Sequence, residues 1–122
     1  MLTITDLSVN YGPVHALAHV SIEVPRGEVT AVIGANGAGK STLMRTLAGL
    51  VKPLTGEATL DGVKITGHKA EDIVRMGVAL VPEGRSTIPE LTVEENLRLG
   101  GMWRSRTDRA ATVTEVFDMF PV

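Results

Sequence analysis

The chain has 122 residues, 43% of them hydrophobic, with no cysteine and a formal net charge of −2. That length and apolar content suit one globular domain with a core, and the mild acidity gives no electrostatic reason to expect nucleic acid. Only four aromatic residues (Tyr11, Trp103, Phe117 and Phe120) occur, too few for a base-stacking platform; the lack of cysteine excludes disulfides and thiolate metal sites.

The opening MLTITDLSVNYG shows no basic-then-apolar leader pattern. No apolar run approaches the roughly 20 residues of a membrane span, so any membrane association is expected to run through a partner. Leu2 and Ile4 alternate with Thr3 and Thr5, after which Leu7 and Val9 alternate with Asp6 and Ser8. This change of phase predicts a strand with a bulge near Asp6. His15 and His19 have the spacing of a helical metal pair, but they sit in a strand-like stretch. Val20, Ile22 and Val24 predict a half-buried strand, closed by the turn Pro25-Arg26-Gly27-Glu28. Residues 29–33 (VTAVI) and 78–81 (VALV) are near-continuous apolar runs, the pattern of parallel strands covered on both faces.

Between these runs lie helical patterns. Leu43, Leu47 and Leu50 share one face, with Gly49 as a C-terminal stop. Asp61-Gly62, between residues 57–60 and 63–65, predicts a hairpin with a type I′ turn. Thr92 with Glu95 forms a capping-box signature, after which Val93 and Leu97 share a face. Val113, Val116, Phe117 and Phe120 mark a last amphipathic helix, ended by Pro121. The expected fold class is α/β, a core carrying an antiparallel β lobe.

The strongest chemical signal is GANGAGKST, which matches G-x-x-x-x-G-K-[ST] between an apolar run and an amphipathic helix. Glycines at 34, 37 and 39 let the backbone curl until successive N–H groups face inward as an anion nest. The helix beginning near Lys40 adds its positive dipole end. Lys40 can reach the β- and γ-phosphates of a nucleotide, Ser41 can ligate Mg²⁺ between them, and Thr42 can approach the α-phosphate. Tyr11, before Gly12 and some 20–25 residues upstream of the loop, could stack on an adenine ring or simply end a strand.

Taken together, Tyr11-Gly12, the segment ALAHVSIEVPRGEVTAVIGANGAGKSTLMRTLAGL, GEATLDG and VPEGRSTIPELTVEENL resemble the ATP-binding subunits of ABC transporters. The PEGR and LTVEENL stretches are most similar to the second ATPase subunit of branched-chain amino acid importers, with importers of urea and other small polar solutes nearby. The resemblance implies a P-loop NTPase core of ABC type and ATP with Mg²⁺ as cofactors. Gly34, Ala35, Asn36, Gly37, Ala38, Gly39, Lys40, Ser41 and Thr42 would then form the phosphate cradle, and Tyr11 the adenine-stacking residue. Glu83 falls where most of the family has glutamine, in a loop that senses the γ-phosphate and Mg²⁺. Lys40 and Glu83 are thus the candidate catalytic groups, Ser41 and Glu83 the candidate metal contacts. Glu83 follows an apolar run, and ligands gather at the carboxyl ends of such strands in open α/β sheets. A sensing role suits it better than that of a catalytic acid. Ser86, Thr87 and Ile88 depart from the basic and aromatic residues usual there.

The resemblance implies partners as well: a second ATP-binding subunit in a homo- or heterodimer, transmembrane permease subunits, and indirectly a solute-binding protein, but no nucleic acid. The location implied is the cytoplasmic face of the inner membrane, held peripherally. Residues 1–68 are expected to form the β lobe with the phosphate loop and its helix. Residues 69–122 would hold the γ-phosphate-sensing loop and the start of a helical subdomain. Neither an LSGGQ-like signature nor a Walker B strand ending in Asp-Glu is present, and Leu99-Gly100-Gly101 is only an echo of the former. These residues are therefore expected to stop before those motifs, and to turn over ATP poorly by themselves although the intact parent is an ATPase. A non-catalytic nucleotide-binding module and a DNA-maintenance ATPase are the alternative readings. Arg104, Arg106 and Arg109 read as a solvated helix face, or as a cluster for acidic groups of a partner or anionic lipid headgroups. Trp103 reads as buried against a neighbouring helix, or as a docking residue.

Overall fold

The break in alternation at Asp6 decides how the first two strands pair. In the computed structural model, which describes residues 1–84 and 86–121, β1 (Leu2–Tyr11) and β2 (Val14–Val24) form an antiparallel hairpin. Ile4 pairs with Ile22 but Leu7 with Val20, so Thr5 and Asp6 stand opposite Ser21 alone. The next pairing is Val9 with Leu17, so Ala18 and His19 stand opposite Ser8 alone. β1 therefore bulges at Thr5-Asp6 and β2 at Ala18-His19, two shifts that compensate, and β2 carries one further extra residue, Ala16, between the Val9–Leu17 and Asn10–His15 pairs. Asp6 (φ 51°) and His19 (φ 52°) both adopt the left-handed region.

The amides that leave the ladder find partners across the hairpin. Asp6 N–H donates to Ser21 Oγ at 3.0 Å, and His19 N–H to Ser8 Oγ at 3.0 Å. His19 Nδ1 and Asp6 Oδ1 lie 2.7 Å apart. The gain is that Ile4, Leu7 and Val9, whose sequence spacing would split them between two faces, are all buried. Each such burial contributes roughly 1.5–3 kcal/mol, against about 1–3 kcal/mol for each strained backbone position. The core side of the balance wins.

The sheet continues with β3 (Thr55–Leu60) and β4 (Val63–Lys64), in the order β2-β1-β3-β4 and antiparallel throughout. Asp61 (φ 48°) and Gly62 (φ 81°) make the expected left-handed turn between them. α1 (Lys40–Leu47) buries Leu43 and Leu47 in a core with Ile4, Leu7, Val9, Leu17, Ala58 and Ile65. The helix stops one turn earlier than the Leu43/Leu47/Leu50 pattern predicts, and Leu50 is exposed. Gly49 (φ 74°) is the reason: it ends the helix, and a Cβ there would lie 2.7 Å from Ile73 Cδ1 of α2 (Ala70–Arg75). The sequence pattern had not indicated α2, which is only six residues long.

The two predicted parallel strands are not present as strands. Residues 29–33 and 78–81 are outside any ladder, with Val29 99% and Ile33 92% exposed. A parallel strand requires hydrogen-bonding neighbours and cover on its faces. Among the described residues, all strand pairing is taken up within the antiparallel sheet.

The chain divides into two compact units, Met1–Leu80 and Val81–Val122. The second holds α3 (Val93–Gly100) and α4 (Arg106–Met119). The capping box forms as expected: Glu95 N–H donates to Thr92 Oγ1, while Thr92 N–H and Oγ1–H donate to Glu95 Oε2 at 2.8 Å each. Asn96 then binds the approach to the helix, accepting from Ile88 N–H and donating to the Ile88, Leu91 and Thr92 carbonyls. In α4, Val113, Val116 and Phe117 are half-buried and Phe120 is exposed as the C-cap.

The hydrogen bonds from Thr92 hold the Glu95 carboxyl below its usual value. A lowered folded-state pKa means the cap is intact above the ordinary glutamate pKa of about 4.3 and is lost as pH falls through the lowered value. Amide exchange in α3 should therefore be flat from pH 7 to about 5 after correction for intrinsic rates, and quicken below about 4. Thr92→Ala should cost about 1 kcal/mol of α3 stability at neutral pH and abolish that acid dependence.

Candidate functional site

Residues 34–40 run from extended chain through a turn at Asn36 and Gly37 into α1. Gly37 (φ 84°) and Gly39 (φ 90°) take backbone angles that L side chains rarely adopt. Gly39 is the N-cap of α1, no side chain caps the helix there, and its first turn carries no acidic residue. A helix start of this kind presents backbone donors and a positive dipole end. Lys40 reaches back across the loop, donating from Nζ to the Gly34 carbonyl at 2.6 Å and the Ala35 carbonyl at 2.7 Å. The loop is thus closed on itself by a cation, and Ala38 N–H to the Ala35 carbonyl (3.2 Å) tightens its turn.

The loop is seated on β2. A Cβ at Gly39 would lie 2.4 Å from the Ala16 carbonyl oxygen and 2.6 Å from Leu17 Cδ2. Only a glycine allows this approach. Leu17 belongs to the core whose phase the double bulge sets, so the loop's position depends on the β lobe. Three residues before Leu17, Val14 pairs with Tyr11. That puts Tyr11 about 10 Å along the hairpin from the loop's seat, by the rise of a strand. The Tyr11 side chain is 45% exposed at the hairpin end, available to a planar ligand.

Thr42 is half-buried, and its carbonyl accepts from Thr46 Oγ1 at 2.8 Å. Ser41 is exposed at the second position of α1. Gly34, Ala35, Asn36, Gly37, Ala38, Gly39, Lys40, Ser41 and Thr42 therefore come together as one feature of the first unit, with Tyr11 on the same hairpin. Glu83 belongs to the second unit, in an exposed turn with Gly84 (φ 84°). Arg85 of the PEGR stretch lies outside the described residues. Leu99-Gly100-Gly101 ends α3 and supplies its C-cap, an ordinary helix stop. Trp103 is 44% exposed rather than buried, with the Arg104 guanidinium 5.0 Å from its ring centre.

Sequence reasoning missed Ala16 and Leu17 as the seat of the loop. Nothing in their local pattern carries that role, which arises from a contact between segments more than twenty residues apart.

The profile of the ABC transporter family matches residues 17–121. The chain belongs to the ABC transporter family. The high-affinity branched-chain amino acid transport ATP-binding protein BraG of Pseudomonas aeruginosa is 42% identical over 121 residues, covering 99% of this chain and 52% of its own length. A ribose import ATP-binding protein of Streptomyces coelicolor is 40% identical over 115 residues, covering 92% of this chain and 23% of its own. The ABC chain thus spans about half the length of the first relative and about a quarter of the second. A solved ATP-binding subunit of an ABC transporter superposes with a TM-score of 0.81 at 34% identity, over 98% of this chain and 50% of that one. A nucleotide-free ATP-binding cassette does so at 0.78 and 30%, over 92% and 45%. These matches show the expected α/β fold of ABC type, with its antiparallel lobe, even though the two apolar runs stand outside the sheet here.

The geometry separates two glycines that look alike in the motif. Gly39→Ala should lower the melting temperature by several degrees, because strain of about 1–3 kcal/mol adds to the overlap with β2. Gly37→Ala, with nothing within 4 Å of its Cβ, should cost only the backbone strain. Thermal melts of the two variants side by side check the difference.

Proposed function

We propose that this chain is the phosphate-loop-bearing part of an ABC ATP-binding subunit, which couples ATP binding and hydrolysis to solute import. The observation that carries this reading is the loop itself: an uncapped helix start, two glycines at positive φ, and Lys40 folded over the loop carbonyls. These groups fit a nucleotide's phosphates. Their curled backbone and cationic lid suit a polyanion, and no carboxylate of the first turn competes with it.

In this reading the backbone of residues 34–42 holds the phosphates and Lys40 neutralises the β- and γ-groups. Ser41 would hold Mg²⁺, and Tyr11 would stack on the adenine. Bound Mg²⁺ supplies charge neutralisation of the leaving phosphate. Glu83 takes the γ-phosphate- and Mg²⁺-sensing position, reporting nucleotide state to a permease partner through the turn it shares with Gly84. Residues 1–68 and 69–122 divide these tasks, the first binding nucleotide and the second carrying the sensing turn and helical docking face. Hydrolysis belongs to the whole protein, working with a second ATP-binding subunit on transmembrane permease subunits fed by a solute-binding protein. The subunit sits peripherally on the cytoplasmic face of the membrane, and no helix among the described residues is long and apolar enough to cross it. Branched-chain amino acids are the proposed solute, from the 42% identity to BraG along nearly the whole chain.

Titration with a fluorescent ATP analogue and Mg²⁺ tests the binding reading. Lys40→Ala should weaken affinity at least tenfold, about 1.4 kcal/mol. Tyr11→Phe should hold affinity, while Tyr11→Ala should lose about threefold to tenfold, the worth of a stacked pair. An unchanged affinity in Lys40→Ala would overturn the reading. In the whole protein, Glu83→Gln should change MgATP affinity by less than about tenfold, whereas a larger loss would make Glu83 a metal ligand instead. Deleting the encoding gene should reduce uptake of radiolabelled leucine and spare ribose; the reverse would assign the subunit to sugar import, as for the ribose relative.

A further inference from the structure

Three arginines of the second unit meet in one cavity. α3 and α4 enclose about 510 Å³, lined by Glu94, Arg98, Arg106, Arg109, Ala110 and Val113 together with Thr114. The basic cluster read from the sequence is therefore rearranged: Arg104 turns to Trp103, and Arg98 takes its place. Glu94 is the one acid in the lining, and Arg98 Nη2 already holds it at 2.5 Å.

Arg106 and Arg109 are left with their charge unmatched. Among the described residues neither has a carboxylate within ion-pair distance. Asp108, the acid between them in sequence, accepts from Ser105 Oγ at 2.6 Å in the N-cap of α4. Arg109 Nη2 reaches only the Arg104 carbonyl, at 3.4 Å, and its Nε is a buried donor without an acceptor. A buried donor of this kind calls for a missing partner. The Arg109 stem is held in place by Gly101, where a Cβ would lie 3.1 Å from Arg109 Cγ.

The geometry points to this cavity as a binding site for the phosphoryl group of a small phosphate ester, separate from the phosphate loop. Guanidinium forks match both carboxylate and phosphate. Two unmatched cations and an orphaned donor together favour the doubly charged phosphoryl group over a singly charged carboxylate. The volume exceeds what inorganic phosphate needs and lies within the range of small-molecule sites. The same chemistry occurs on a soluble phosphate ester and on a phosphatidic acid headgroup. The proposal rests on none of the ATP reading.

The test uses the full chain carrying Lys40→Ala, so that the phosphate loop does not compete. Trp103, the only tryptophan, stands beside Arg104 and reports on this corner by its emission. Titration with glycerol 3-phosphate, and separately with phosphatidylcholine vesicles with and without phosphatidic acid, should give a saturable change with one of the two probes. A response to the ester assigns a soluble ligand; a response only to the phosphatidic acid vesicles assigns the headgroup. Arg106→Gln with Arg109→Gln should weaken the responding probe by about tenfold or more, and Glu94→Gln, which frees Arg98, should strengthen it about threefold. Arg106→Gln alone changes an exposed side chain with no hydrogen bond partner among the described residues, so its effect is read without loss of the fold. No saturable response to either probe, or one that survives both arginine substitutions, overturns the proposal.

Discussion

The first unit depends on two residues that break the rules of a strand. Asp6 and His19 take left-handed backbone angles, and each hands its amide to a serine on the opposite strand. The double bulge lets Ile4, Leu7 and Val9 share one face of β1, and lets Leu17 join Val20, Ile22 and Val24 on the inward side of β2. Without the phase change part of this apolar set would point to solvent. The core that α1 packs against follows from it. β3 respects the same feature, because Gly56 comes so close to the Asp6 carbonyl that a Cβ would lie 2.3 Å from its oxygen.

The glycine-rich loop before α1 inherits its position from that core. Gly39 rests on the backbone of β2 at Ala16 and Leu17, and from there the chain turns directly into the uncapped start of α1. The loop's shape is local, set by glycines and by Lys40 returning to the Gly34 and Ala35 carbonyls. Its placement is not local. The same hairpin carries Tyr11 at its end, so one sheet bears both an exposed aromatic side chain and the seat of the glycine-rich loop.

The second unit is organised differently, by short-range polar contacts instead of a large core. The approach to α3 is held by the reciprocal Thr92–Glu95 cap and by four hydrogen bonds from the Asn96 side chain. The stretch LTVEEN thus specifies its own conformation, which explains why it was legible in one dimension. α3 and α4 bury no residue fully, and Val93, Met102 and Trp103 of this unit are exposed. The chemistry of this unit is accordingly carried at its surface.

What the sequence determined by itself is what depends on near neighbours. The bulge at Asp6 showed as a change of phase, the Asp61-Gly62 turn as its residue types, the cap as Thr92 with Glu95, and the curled loop before α1 as glycines preceding Lys40. Each is encoded within about seven residues. Tertiary structure decided the rest. It packed Gly49, the stop the sequence already showed, against Ile73, chose Arg98 over Arg104 for the cavity, and seated Gly39 on β2. It also left residues 29–33 and 78–81 outside any ladder, although their apolar runs have the composition of buried strands. A strand exists only where another strand accepts its hydrogen bonds. No property of one segment read alone can supply that partner.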